Sequence, residues 1–111
     1  MNTQHKELSS GRWQKLNFIE QMANIGSEVE RAISWRKKNK INYSQMAFDR
    51  ALELLDLTVA DNKNIRRLKE ILRIREMMVD YFSFDNIYHS TAEQWQKYFY
   101  SFNYAARLRQ N

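Results

Sequence analysis

Residues 16–38, LNFIEQMANIGSEVERAISWRKK, set Leu16, Ile19, Met22, Ala23, Gly26, Val29 and Ile33 at steps of three and four. Apolar residues at that period share one face of an α-helix, whereas a half-buried strand would alternate them. Ser9 and Ser10 offer caps upstream, so the spacing predicts a first helix from Gly11 to about Lys38, on the order of 40 Å long. Gly26 falls on the apolar stripe, where a missing side chain lets another helix come close.

The same period returns three times. Ala47, Phe48, Ala51, Leu54, Leu55 and Thr58 define a second helix, started by Asn42 or Ser44. The turn DNKN, residues 61–64, leads into a third from about Asn64 to Phe82, with Ile65, Leu68, Ile71, Leu72, Met78, Val79 and Phe82 on one face. Ser90, followed three residues later by Glu93, matches a capping box for a fourth helix carrying Trp95, Tyr98, Phe99, Phe102 and Ala106. Proline is absent, glycine occurs twice, and strong helix formers dominate. Short links favour antiparallel neighbours, so the expected fold is all-α, an antiparallel up-down-up-down four-helix bundle. The 111 residues make one domain, with residues 1–9 as a frayed tail.

Composition removes several chemistries. Without cysteine there are no disulfides, thiolate metal sites or thiol nucleophiles. His5 and His89 stand too far apart in sequence for a paired-histidine metal motif, and no glycine-rich phosphate loop or nucleophile elbow occurs. No cofactor is implied. The polar N-terminus lacks an apolar leader and no segment has the length of a membrane span, so a cytoplasmic protein without membrane association is expected.

Three groups of residues ask for more than a bundle. Arg36, Lys37, Lys38 and Lys40 follow Trp35, and Arg66, Arg67 and Lys69 open the third helix, within a chain of net charge +5. Each cluster reads either as a solvated helix end or as a phosphate contact for RNA or DNA. Antiparallel packing would put the two clusters at opposite ends of the bundle. For the first, the dipole of the first helix accounts for the cations, with Trp35 folded against the bundle. On the fourth helix, Tyr100, Tyr104 and Arg107 lie away from the core stripe, as surface residues, as a homodimer seam or as stacking rings for bases. Arg75 interrupts the apolar stripe of the third helix. Its head either snorkels to water or pairs with Glu30, the best-placed acid.

An enzymatic alternative rests on acids. Glu53 and Asp56 have an ExxD spacing that resembles half of the metal signature of the all-α nucleotide pyrophosphatases, and Glu76 and Asp80 share a face at i,i+4. A divergent magnesium-dependent nucleotide hydrolase would use these four. The upstream ExxE half of the signature is missing.

The blocks IEQMANIGSEVERAISW, AFDRALELLDLT and RLKEILRIREMMVDYF, between Gly11 and Phe82, resemble a group of small prokaryotic helical-bundle proteins. In size, helix order and general texture the chain is also similar to HEPN-like proteins, which pair with minimal nucleotidyltransferases or cleave RNA. The nuclease branch carries an arginine followed by four to six residues and then a histidine, and no arginine precedes His5 or His89 at that distance. The resemblance therefore implies a non-nucleolytic member. The expected function is a non-catalytic interaction module, a homodimer that partners a nucleotidyltransferase or serves as a nucleic-acid-binding accessory protein.

Overall fold

The computed structural model describes residues 11–110 and is helical throughout its regular structure. Four α-helices span Phe18–Lys37 (α1), Ile41–Ala60 (α2), Leu68–Ser83 (α3) and Ala92–Gln110 (α4), and short 3-10 turns cover Trp13–Lys15 and Asn62–Arg67. Among the described residues no helix is long and apolar enough to cross a membrane.

α1 begins seven residues later than the periodicity suggests. Asn17 is its N-cap: Asn17 Oδ1 accepts from the Glu20 amide at 2.8 Å, and Glu20 Oε1 accepts from the Asn17 amide at 3.0 Å. This reciprocal box satisfies two helix-end donors and fixes the start. Ser9 and Ser10 lie outside the described residues. The segment before the cap turns instead, driving Trp13 beneath the bundle, where it is 1% exposed.

α1 ends in a Schellman arrangement without glycine. Asn39 takes the left-handed conformation at φ 60°, its amide donates to Arg36 O, and Lys40 N donates to Trp35 O at 2.9 Å. Asparagine is the side chain that best tolerates that geometry after glycine. α2 then starts at Ile41, ahead of both predicted caps. Ser44 serves a different purpose: its hydroxyl donates to Ala32 O at 2.7 Å, tying α2 to α1. Further along, Arg50 Nε meets Glu28 Oε2 at 2.7 Å, and Gln21 Nε2 meets Asp61 Oδ2 at 2.9 Å. The two helices are thus matched from link to far end.

Asp61 is a cap, as the turn reading expects, accepting from Lys63 N at 3.2 Å, but the next six residues form a 3-10 turn and α3 begins only at Leu68. α4 is capped by Thr91 and Gln94, one residue beyond the predicted Ser90 and Glu93. Thr91 Oγ1 accepts from Gln94 N at 3.2 Å, and Gln94 Oε1 accepts from Thr91 N at 2.9 Å. Ser90 is not free to cap because Asn86 holds its backbone from both sides, at 2.9 Å on the amide and 3.0 Å on the carbonyl.

The core is assembled around α1 and α2. Met22, Ile25, Val29, Ala32 and Ile33 of α1 meet Ala47, Phe48, Ala51, Leu54 and Leu55 of α2, with Ile71 and Met78 of α3 and Trp95 and Phe99 of α4 completing it. α1 packs on α2 and α4, and α2 on α3. Gly26 permits the α1–α4 approach as its place on the stripe suggests: a Cβ there would lie 2.7 Å from Phe99 Cβ, inside contact distance.

Arg75 takes its head to the surface, as the snorkelling alternative expects, and does not pair with Glu30. Its Nε donates to Asp56 Oδ1 at 2.9 Å, in a surface pair whose side chains are 37% and 60% exposed. Glu30 faces α4 instead, where it accepts from Gln96 Nε2 at 3.1 Å. Such an exposed pair adds little to stability, roughly 0–1 kcal/mol.

Candidate functional site

The basic run at the end of α1 is partly built into the fold. The Arg36 guanidinium donates to Tyr81 O at 3.1 Å and lies 4.8 Å from the Tyr81 ring centroid and 5.7 Å from that of Phe82. Tyr81 is in the last turn of α3, so Arg36 places positive charge where that helix presents its unpaired carbonyls. The Lys38 ammonium sits 5.2 Å from the Trp35 ring, and Trp35 packs against Tyr43 in a tilted pair with centroids 4.9 Å apart. Lys37 and Lys40 are exposed beside them.

The second cluster has its own internal partners. Arg67, which the helix dipole disfavours at the start of α3, lies 4.7 Å over the Phe18 ring and 3.8 Å from Glu70 Oε1. Those contacts supply the compensation that its position calls for. Arg66 and Lys69 are exposed. Because Arg36 meets α3 at Tyr81 and Arg67 precedes Leu68, the clusters stand about 20 Å apart along α3. They do not form one groove.

The acids of the enzymatic alternative are dispersed. Asp56 pairs with Arg75, and Glu76 accepts from the Tyr88 hydroxyl at 3.1 Å. Asp80, 7% exposed, accepts from the Ile87 and Tyr88 amides at 2.9 and 3.1 Å and so anchors the loop after α3. Glu53 lies on α2, half-buried. Among the described residues no three acidic or histidine side chains gather closely enough to hold a metal ion.

On α4 the outward face is aromatic and open. Tyr100, Tyr104 and Leu108, at i, i+4 and i+8, are 58%, 52% and 56% exposed, and the two tyrosine rings stack at 6.3 Å. Leu108 extends the stripe that the sequence reading marked with Tyr100 and Tyr104, and its four-residue spacing was the signal available for finding it. Beside the stripe runs a furrow along the α1–α4 seam. One part, about 500 Å³, is lined by Glu20, Ala23, Ser27, Asn103 and Arg107 among others. Asn103 also borders the other part, about 280 Å³, with Gly26, Glu30, Gln96 and Tyr100. The α1 bank therefore carries acids and the α4 side carries Arg107 and, farther out, Lys97.

On the opposite side of α4, Tyr98 donates its hydroxyl to Glu70 Oε2 at 2.8 Å. Burial raises the Tyr98 pKa, and the Glu70 hydrogen bond and charge raise it further, so the phenol stays protonated across the physiological range. Tyr88 is raised in the same direction, first by its hydrogen bond to Glu76.

Comparison with protein-family models, with curated proteins and with solved structures finds no match for this chain.

Proposed function

We propose that this chain is a non-catalytic interaction module, an up-down-up-down bundle that forms a homodimer through the outer face of α4 and the furrow beside it. The observation that carries the reading is the Tyr100, Tyr104 and Leu108 stripe: three large side chains in line, each more than half exposed, on a helix that already buries Trp95 and Phe99 on another face. Tyrosine suits such a seam because it removes a large apolar ring from water and keeps a polar edge. A second copy is the favoured occupant on grounds of charge. In an isologous contact each surface meets itself, and here Glu20 and Glu30 on the α1 bank complement Arg107 and Lys97 on α4. The pairings of Ala32 with Ser44, Glu28 with Arg50 and Gln21 with Asp61 support the alternating helix directions.

Catalysis is less well supported. Asp56, Glu76 and Asp80 are engaged by Arg75, Tyr88 and loop amides, which disfavours the pyrophosphatase alternative. Nucleic acid is likewise a weaker reading, since Arg36 and Arg67, one from each basic cluster, serve internal contacts. A HEPN-like, non-nucleolytic role beside a protein partner such as a nucleotidyltransferase belongs to the same proposal.

Sedimentation equilibrium tests it. Wild type should have twice the chain mass, and Tyr100→Ser combined with Tyr104→Ser should give a monomer of unchanged helical content. A wild-type monomer at every concentration overturns the reading.

A further inference from the structure

An open cleft of about 350 Å³ lies between α3, the loop after it and α4, on the side of α4 opposite the Tyr100 stripe. Ile74 and Met77 give it an apolar floor, and Tyr88, Trp95 and Tyr98 give it aromatic walls. Ser90 borders it as well. Two polar atoms of these lining residues, Ser90 Oγ and Trp95 Nε1, are buried without a hydrogen-bond partner among the described residues. Their residues are 6% and 4% exposed. Buried polar groups in folded proteins are nearly always paired, and two orphans beside one cleft point to a group that completes them.

The electrostatics specify the group's neighbour. Tyr98 donates to Glu70 and Tyr88 to Glu76, at 2.8 and 3.1 Å. A phenol that shares its proton with a carboxylate has a more electron-rich ring, and the carboxylates bring negative charge to the rim. Both features favour a cation against the ring faces. Arg67 beside Glu70 and Arg73 near Tyr88 offset part of this charge. A hydroxyl is the simplest group that answers both orphans, since it accepts from an indole N–H and donates to a serine oxygen.

We propose that this cleft binds a small organic cation bearing a hydroxyl group close to its charged nitrogen. The cation lies against Tyr88 and Tyr98, its apolar substituents rest on Ile74 and Met77, and its hydroxyl bridges Trp95 Nε1 and Ser90 Oγ. Both atoms are buried, so the hydroxyl reaches them only where the cleft wall yields locally. Trp95 also borders the α1–α4 furrow, but Ile74, Met77, Tyr88 and Tyr98 lie away from the Tyr100 stripe proposed for self-association.

The test is a titration followed by the indole N–H resonances, with the Trp95 signal identified as the one lost in Trp95→Phe. Choline is the probe, and its uncharged isostere, with a quaternary carbon in place of nitrogen, is the control. Choline should shift the Trp95 signal saturably, and the isostere should bind roughly tenfold more weakly. Tyr98→Phe combined with Glu76→Gln should weaken choline binding severalfold while the spectrum keeps its native dispersion. No saturable shift with choline, equal binding of the isostere, or unchanged affinity in the variant overturns the proposal. So does a Trp95 indole proton that remains in contact with bound water at saturating choline.

Discussion

Trp13 and Trp95 are both core residues, 1% and 4% exposed, yet their indole N–H groups have opposite fates. That of Trp13 donates to Thr58 Oγ1 at 3.0 Å, whereas that of Trp95 has no hydrogen-bond partner among the described residues. Around Trp13 the polar groups are closed into a network. Gln21 Nε2 donates to Trp13 O and Asp61 Oδ2, and Asn64 Nδ2 donates to Gln21 Oε1 and Thr58 O, all within 3.1 Å. Thr58 passes its own proton to Leu54 O at 2.7 Å, and Lys63 reaches both Asp61 and Gln14 O. Around Trp95 the helices leave a cleft, an unpaired serine and two phenol–carboxylate pairs facing outward. The difference teaches where each region's role lies. A satisfied buried network specifies one arrangement of α1, α2 and the two 3-10 turns. An unsatisfied seam is a place where something can still bind or move.

The sharpest way to break this comparison is to make the same substitution at both tryptophans. Trp13→Phe and Trp95→Phe each remove an indole nitrogen and comparable volume from the core. Only the first breaks a hydrogen bond, so it should cost about 1–3 kcal/mol more in urea unfolding. Equal losses would mean that the Trp13 network contributes nothing specific.

A smaller effect concerns Asp61. Burial raises its pKa, but hydrogen bonds from Lys63 and Gln21 and the Lys63 charge outweigh this and leave it below the ordinary carboxylate value. A carboxylate whose folded pKa is depressed contributes stability that is present above its unfolded pKa and lost as pH falls through the folded one. The stability gap between wild type and Asp61→Asn should therefore narrow as pH drops from about 5 to about 2. A gap that stays constant across that window would contradict the assignment.

Much of the architecture was legible because it depends on periodicity. Four helices, the close approach at Gly26, the Asp61 cap and the separation of the two basic clusters follow from spacing alone. The misreadings share a cause: local patterns that fit equally well at neighbouring positions. Leu16 continues the apolar phase of α1, which hides the stop that Asn17 and Glu20 impose. Ser90 with Glu93 and Thr91 with Gln94 are overlapping boxes, and only the Asn86 bonds to Ser90 decide between them. Arg75 could not be matched to Asp56, because that pairing depends on how α2 and α3 sit against each other. Gln21 and Asn64 carry no apolar signal for periodicity to mark, yet they are fully or nearly fully buried, at 0% and 2% exposed. Of the candidate surfaces, the outward tyrosines of α4 were visible as residues too large for the wet face of a helix. The α3–α4 cleft was not, since it exists only where two helices fail to close.

Backbone hydrogen exchange, followed at low and high protein concentration, tests the whole account most directly. Amides of α1 and α2 should exchange only through global unfolding at both concentrations, and those of α3 and the loop after it should open earlier. Protection around residues 100–108 of α4 should rise with concentration, as a second copy covers Tyr100, Tyr104 and Leu108. Uniform protection across all four helices, unchanged by concentration, would contradict both the contrast between the seams and the dimer.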